Sequence, residues 1–267
     1  MKRLLMLCIV CTAISGFIAL AGFTAKPAEE KPLMEKNGLK LYEIKGSPEY
    51  ADAMLRLASP GEGVSPGTDT FEFALANYQL GAQTPDADQK LCANSAKGQH
   101  IHFIWDNQPY VASYNTNIAQ DVKDGHHVML AFLSRSYHES LKHQTAFVLR
   151  EFRTSATVKD DFNENAPHMF YSRPKGEYIG EKETKRLMLD FYLVNCKLSE
   201  EGFKVRATIN GTEFMLTKWA PYAIEGLPLG EVKVKLELLD KDGKLVQSPY
   251  NPVERTCTLK VEPPVRK

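Results

Sequence analysis

The chain has 267 residues, enough for one large domain or two of ordinary size. Its composition, 43% hydrophobic and 25% charged, is that of a globular protein able to bury real cores. Basic and acidic side chains balance at 33 each with no local basic stripe, which excludes a protein held on nucleic acid by bulk charge.

The N-terminus reads as a targeting segment. Lys2 and Arg3 precede an apolar run from Leu4 to Phe23, and Ala19-Leu20-Ala21 offers small residues to a signal peptidase. The expectation is a signal peptide over 1–21, or an uncleaved membrane anchor to residue 23, and export to the periplasm or cell surface. Three cysteines follow it, Cys92, Cys196 and Cys257, so at most one disulfide can form. Cys196 and Cys257 share the later region and are the expected pair, three free thiols being the alternative. Residues 22–37 are polar and charged and read as a tether.

Leu39 to Ile44 has the pattern of a strand, and Ser47-Pro48-Glu49 that of a helix start, which predicts a short helical turn over 47–57. Residues 59–68 are turn-rich. Beyond them the pattern is β throughout, with strands over 71–78, 101–105, 128–133 and 145–150.

Internal similarity then sets the architecture. FEFALANYQL (71–80) matches LDFYLVNCKL (189–198), and HIHFIWDNQPY (100–110) matches KVRATINGTEF (204–214). Residues 121–133 match 225–239, and 143–152 match 251–262. The expected fold is all-β: two tandem immunoglobulin-like β-sandwich domains, 38–152 with a long loop 81–97, and 187–264, joined by a connector 153–186. Within that connector, MFYSRPKGEY is expected to pack on a domain. Asn210-Gly211 reads as a hairpin turn rather than a glycosylation site.

The candidate site follows from the same repeat. In the second copy Val205, Ala207 and Ile209 point inward. Transferred to the first copy, Ile101, Phe103 and Trp105 are core, and His100, His102 and Ile104 face outward. Two imidazoles at i and i+2 share one face of a strand and can chelate a metal or line a polar pocket. In antiparallel order His126-His127 falls at the far end, on the order of 15–20 Å away, so it is excluded. The loop Ser134 to His143 reaches the right end, bringing His138, with Glu139, His143 or Cys92 as further ligands and Arg135 and Tyr137 as polar or anion contacts. The pattern fixes no cofactor; zinc or copper is what imidazoles would accommodate. A polar ligand pocket and a plain hydrogen-bond network remain open beside it. A hydrolase built on Ser136 or Ser140 with His138 is a further alternative, although no nucleophile elbow, P-loop, GxGxxG or HExxH occurs. Val128 to Leu133 is apolar on both faces, so the outer face of the first domain is expected to be covered, by the second domain, by residues 165–180 or by a partner.

Together NYQLGAQTPDA, CANSAKGQHIHFIWDNQPY, LSRSYHES, FYSRPKGEY and MLDFYLVNCKLSEEGFKVRATINGTEFMLTKW resemble an exported family of Bacteroidota whose members are often labelled phosphopeptide-binding proteins. The resemblance spans about residues 40–262. The residues themselves lead to the expectation of a non-enzymatic envelope protein that binds a protein, peptide or small ligand through its first domain, with no nucleic acid as partner and with the membrane reached only through an uncleaved N-terminal segment; the resemblance implies phosphopeptide binding as an alternative. Phosphopeptide-reading forkhead-associated sandwiches carry Gly-Arg and Ser-x-x-His signatures. Ser-x-x-His occurs once, Ser140 to His143, and Gly-Arg does not occur.

Overall fold

The computed structural model describes residues 30–61, 63–155, 157 and 162–263. The expected signal segment and residues 22–29 of the tether lie outside the described residues. The described part opens on a hairpin, β1 (Met34–Lys36) and β2 (Leu39–Glu43). Asn37 and Gly38 turn it at φ 49° and 79°, the left-handed pair that a two-residue I′ turn requires.

The first sandwich contains β3 (Met54–Ser59), β4 (Gly67–Ala76), β5 (His100–Trp105), β6 (Val111–Ser113), β7 (Asn117–Val122), β8 (His126–Ser134) and β9 (Phe147–Arg153). One sheet runs β3-β4-β7 and the other β6-β5-β8-β9, antiparallel throughout. Phe71, Phe73, Ile101, Phe103, Trp105, Met129 and Leu133 fill the space between them. The helical turn expected over 47–57 is replaced by β3. Leu55 and Leu57 reach this core at a spacing of two, and that period overrides the isolated helix-start signal.

The second sandwich contains β10 (His168–Arg173), β11 (Gly176–Ile179), β12 (Leu187–Val194), β13 (Lys204–Ile209), β14 (Thr212–Leu216), β15 (Tyr222–Glu225), β16 (Gly230–Leu239) and β17 (Val253–Lys260). Its sheets run β1-β2-β15-β12-β10 and β11-β17-β16-β13-β14. The order repeats the first sandwich strand for strand: β10-β12-β15 answers β3-β4-β7, and β14-β13-β16-β17 answers β6-β5-β8-β9. The immunoglobulin-like tandem is therefore present, and the paired segments found in the sequence occupy equivalent places. Asn210 and Gly211 form the β13–β14 hairpin, with Ile209 opposite Thr212.

Two expected boundaries move. Residues 34–43 do not tether or open the first domain: β2 pairs with β15, so β1 and β2 extend the second sandwich. Leu39 and Leu41 are the cause, since they enter the second core. The segment expected as a connector supplies the second sandwich's first strands: β10 pairs antiparallel with β12, and β11 pairs parallel with β17. All three cysteines are free, so the expected Cys196–Cys257 bridge is absent. Cys257 sits in the second core with Cys196 packed at its margin, each as a small apolar group.

A third core lies between the sandwiches. Ile104, Val128, Leu130 and Phe132 from the first meet Phe170, Tyr192 and Val194 from the second. Phe132 stacks on Tyr192 at 4.6 Å between ring centroids. The expected cover for the first domain's outer face is thus the sheet edge β12-β10. At the other end of that sheet, the loop 81–97 lays Cys92 over Tyr42, Ile44, Met188 and Ala223.

Two outcomes test this arrangement. A chain starting at Gly46 loses β1, β2 and buried Leu39, Leu41, Tyr42 and Ile44. At roughly 1.5–3 kcal/mol per buried side chain, that loss rivals the whole stability of an ordinary domain, so this chain should fail to fold by circular dichroism and thermal melting. Phe132→Ala should cost about 3–5 kcal/mol in denaturant unfolding, whereas exposed Met215→Ala should stay within about 0.5 kcal/mol.

Candidate metal centre

His100 and His102 leave β5 on its outer face, as the repeat comparison required. That face is the one buried against the second sandwich, and both histidines are fully buried. His138 arrives from the turn after β8, where its φ of 70° places it in the left-handed region. The turn closes through a bond from the His138 amide to the Arg135 carbonyl.

The three rings converge. His100 Nε2 lies 2.9 Å from His102 Nε2 and 3.0 Å from His138 Nδ1. One ligand nitrogen from each ring lies within 4.8 Å of the others. His100 Nδ1–H donates to the Gly98 carbonyl at 2.8 Å, which leaves its Nε2 lone pair facing the other two. Gly98 is required there: it sits at φ 83°, and a Cβ would lie 2.4 Å from the Gly81 carbonyl oxygen. His102 Nδ1 lies 3.3 Å from Ser172 Oγ on β10, a hydroxyl that can donate or accept and so serves either tautomer. The ring of Tyr110 stacks on His102 at 3.5 Å, and its hydroxyl is 3.3 Å from His138 Nδ1. Burial holds His100 down at about 4 and holds His102 and His138 well below the ordinary histidine value. All three rings therefore stay neutral at pH 7, each with one N–H and one lone pair, and the close contacts to His100 Nε2 can take a proton from His102 or His138.

Two cations flank the cluster. Arg173, at the end of β10, is 7% exposed; its Nη1 donates to the Tyr178 hydroxyl at 2.7 Å, and its Nε has no partner among the described residues. Lys175 Nζ donates to the Tyr110 carbonyl and lies 3.9 Å from the centroid of that ring. Burial, and then the neighbouring Arg173, draws Lys175 down to about 8. Neither cation forms an ion pair among the described residues. Burying a cation without an ion-pair partner costs several kcal/mol, which makes Arg173 a real expense to the fold, whereas half-buried Lys175 costs less.

Other expected site residues lie elsewhere. Arg135 Nη1 donates to Glu139 Oε1 at 2.8 Å and to the Ser140 carbonyl, while Nε and Nη2 donate to the Pro48 carbonyl. Glu139 Oε2 accepts from Ser47 Oγ at 2.6 Å. This buried pair fastens the chain before β3 to the turn after β8, and both charged groups are directed there rather than to the histidine rings. Tyr137 joins the cluster under loop 81–97. His143 bonds the Tyr50 carbonyl, and Cys92, on loop 81–97, packs into the same cluster as Tyr137. His126 pairs with Glu151 and His127 with Asp106, at the end of β8 away from His100, as expected. Ser136 Oγ accepts from the Thr84 amide and Ser140 Oγ from Lys142 Nζ, which also bonds Asp190. Both hydroxyls and the Ser-x-x-His loop are thereby built into the packing. Tyr110, Ser172, Arg173 and Lys175 carry no sequence signal toward the site, because three of them reach it from the other sandwich.

No helix among the described residues is long and apolar enough to cross a membrane. No family model matches this chain, and no curated protein matches it. Among solved structures it is similar to fibronectin(III)-like modules of Clostridium thermocellum CbhA, with 13% identity over 36% of this chain and 100% of that one, at a TM-score of 0.28. It is similar to the central fibronectin-III array of RIM-binding protein, with 10% identity over 78% of this chain and 68% of that one, at 0.26. It is also similar to Bacteroides ovatus SGBP-B of a mixed-linkage glucan utilization locus, solved with a heptasaccharide, with 9% identity over 78% and 70% at 0.23. With TM-scores this low, none of these neighbours lends its function to this chain.

Proposed function

We propose that this chain is an exported, non-enzymatic binding protein whose ligand is a divalent transition metal, zinc or copper, held by His100, His102 and His138. The observation that carries this reading is the gathering of three imidazole nitrogens within 4.8 Å of one another inside the protein, two of them against His100 Nε2. Imidazole suits both ions, and three histidines with one open position is a familiar zinc arrangement. Ligand nitrogens about a tetrahedral ion at roughly 2.0–2.1 Å stand ~3.3 Å apart, so the two contacts to His100 need to open by a few tenths of an ångström, while the His102–His138 pair, within 4.8 Å, has to settle to the same spacing. Ser172 supports the reading by offering His102 an acceptor for Nδ1–H, the outer contact that orients a metal-bound imidazole. The non-enzymatic half rests on the serines, whose hydroxyls serve the packing rather than a histidine. Export rests on Lys2, Arg3 and the apolar run that follows.

Zinc or copper at about a hundred times its dissociation constant should add about 2.7 kcal/mol, a rise of about 5–10 °C in the melting temperature of a protein this size. His138→Asn, which keeps a residue at ease with positive φ, should abolish the rise and leave the metal-free melt nearly unchanged. An unshifted melt with every divalent ion would overturn the reading.

Protons compete poorly for imidazoles already held well below their ordinary value. The metal-induced rise should therefore persist at about pH 5.5, a unit under the ordinary histidine value. Metal-free protein should behave oppositely. Between the unfolded value near 6.5 and about 4, the unfolded state takes up protons that the folded state refuses, so stability should fall across that window. Thermal melts at stepped pH check both.

A further inference from the structure

The metal reading leaves an imbalance of charge. A dication among three neutral imidazoles would stand beside Arg173 and Lys175, with no carboxylate paired to either cation. The guanidinium is nearly inaccessible, and its Nε proton is directed to no acceptor among the described residues. A buried donor left unpaired in this way marks a place where an acceptor belongs. Lys175 is half-buried beside Tyr110, on the accessible side of the cluster, and His138 is the half-buried member of the triad. Besides the Gly98 carbonyl and the Ser172 hydroxyl, the rings are flanked by the aromatic side chains Tyr110, Tyr114 and Phe132.

We propose that the open metal position takes a small oxyanion, which Arg173 and Lys175 hold against the His100–His102–His138 triad. This rests on the metal reading above. One oxygen completes the metal's coordination, and the remaining oxygens accept from the guanidinium and the ammonium. Planar and tetrahedral oxyanions both suit an arginine, which presents several donors in a fixed fork, and a lysine acting as a point charge. The anion offsets the repulsion between the metal and the two cations, and the metal in turn offers the anion a charge that the cations alone do not. Each ligand therefore binds more tightly in the presence of the other, by the same factor. Bicarbonate, inorganic phosphate and an organic carboxylate share this chemistry.

The test is zinc affinity of the whole protein, measured by competition with a chromophoric chelator in chloride buffer alone and with millimolar bicarbonate, phosphate or acetate added. Chelator titrations without protein correct each buffer for free zinc. At least one anion should tighten zinc binding about fivefold or more. Lys175→Gln should bind zinc in chloride as tightly as the parent or more tightly, and should lose most of the anion's gain. Arg173→Lys, its melt checked first, should do the same. Zinc binding that is equal in all four buffers overturns the oxyanion site and leaves the metal reading standing. An anion gain that survives both substitutions overturns the assignment to Arg173 and Lys175. If zinc and copper fail to bind in any buffer, the metal reading fails and this proposal fails with it.

Discussion

The architecture turns on one face that cannot be left in water. Strand β8 is buried along nearly its whole length, on both sides: Met129, Ala131 and Leu133 face the first core, and Val128, Leu130 and Phe132 face away from it. An outward row of that kind must meet another apolar surface, and Phe170, Tyr192 and Val194 supply it. Two sandwiches that could have been beads on a string become a stack of four sheets with three cores between them. The same contact draws β5's outer face out of solvent, so that His100 and His102 are neutral because the neighbouring phenylalanines need cover.

The sister strand shows what the face looks like without that constraint. On β13 the outward positions hold Lys204, Arg206 and Thr208, half-buried, with Arg206 paired to Glu237 at 2.7 Å. The inward residues are equivalent in both copies. The two sandwiches share their strand order and turn positions, and differ in what one sheet face carries. Changing a single outward row leaves the core that specifies the fold untouched, so the two sandwiches can carry different chemistry on one scaffold.

Much of this was legible before any coordinates. The repeat gave the strand equivalences, and a period of two gave the faces of β5 without ambiguity. Antiparallel pairing then ruled out His126-His127 and brought in His138. What stayed hidden has two physical causes. Asn37-Gly38 is the same hairpin signal as Asn210-Gly211, but β1 is only three residues long, so the strand pattern of Leu39 to Ile44 has no alternating partner upstream to complete the hairpin. Contacts between the sandwiches depend on how two finished surfaces dock, and no local period encodes that. Ser172, Arg173 and Lys175 therefore sat unrecognised in a segment taken for a connector. Arg135 and Glu139 were misleading for the opposite reason. At a spacing of four in the turn they satisfy one another, and a charged pair that is already satisfied has little left to offer a ligand.

The triad is unevenly supported. His102 is fixed by strand pairing on both sides, opposite Ala112 and Phe132, while His100 is paired on one side, opposite Ser134, and further held by Gly98. His138 stands on a turn in a backbone region that a non-glycine residue enters at some cost, and its side chain is the most accessible of the three. The two close contacts differ in the same way: His100–His102 lies within β5, where ladder hydrogen bonds and the core resist change together, whereas His100–His138 joins the strand to the turn, whose flanks the Arg135–Glu139 pair anchors. The strand pair would thus set where an ion sits, and the turn how closely it is held. Arg173 and Lys175 approach from the second sandwich, so whatever binds between them and the triad also bridges the two halves of the molecule.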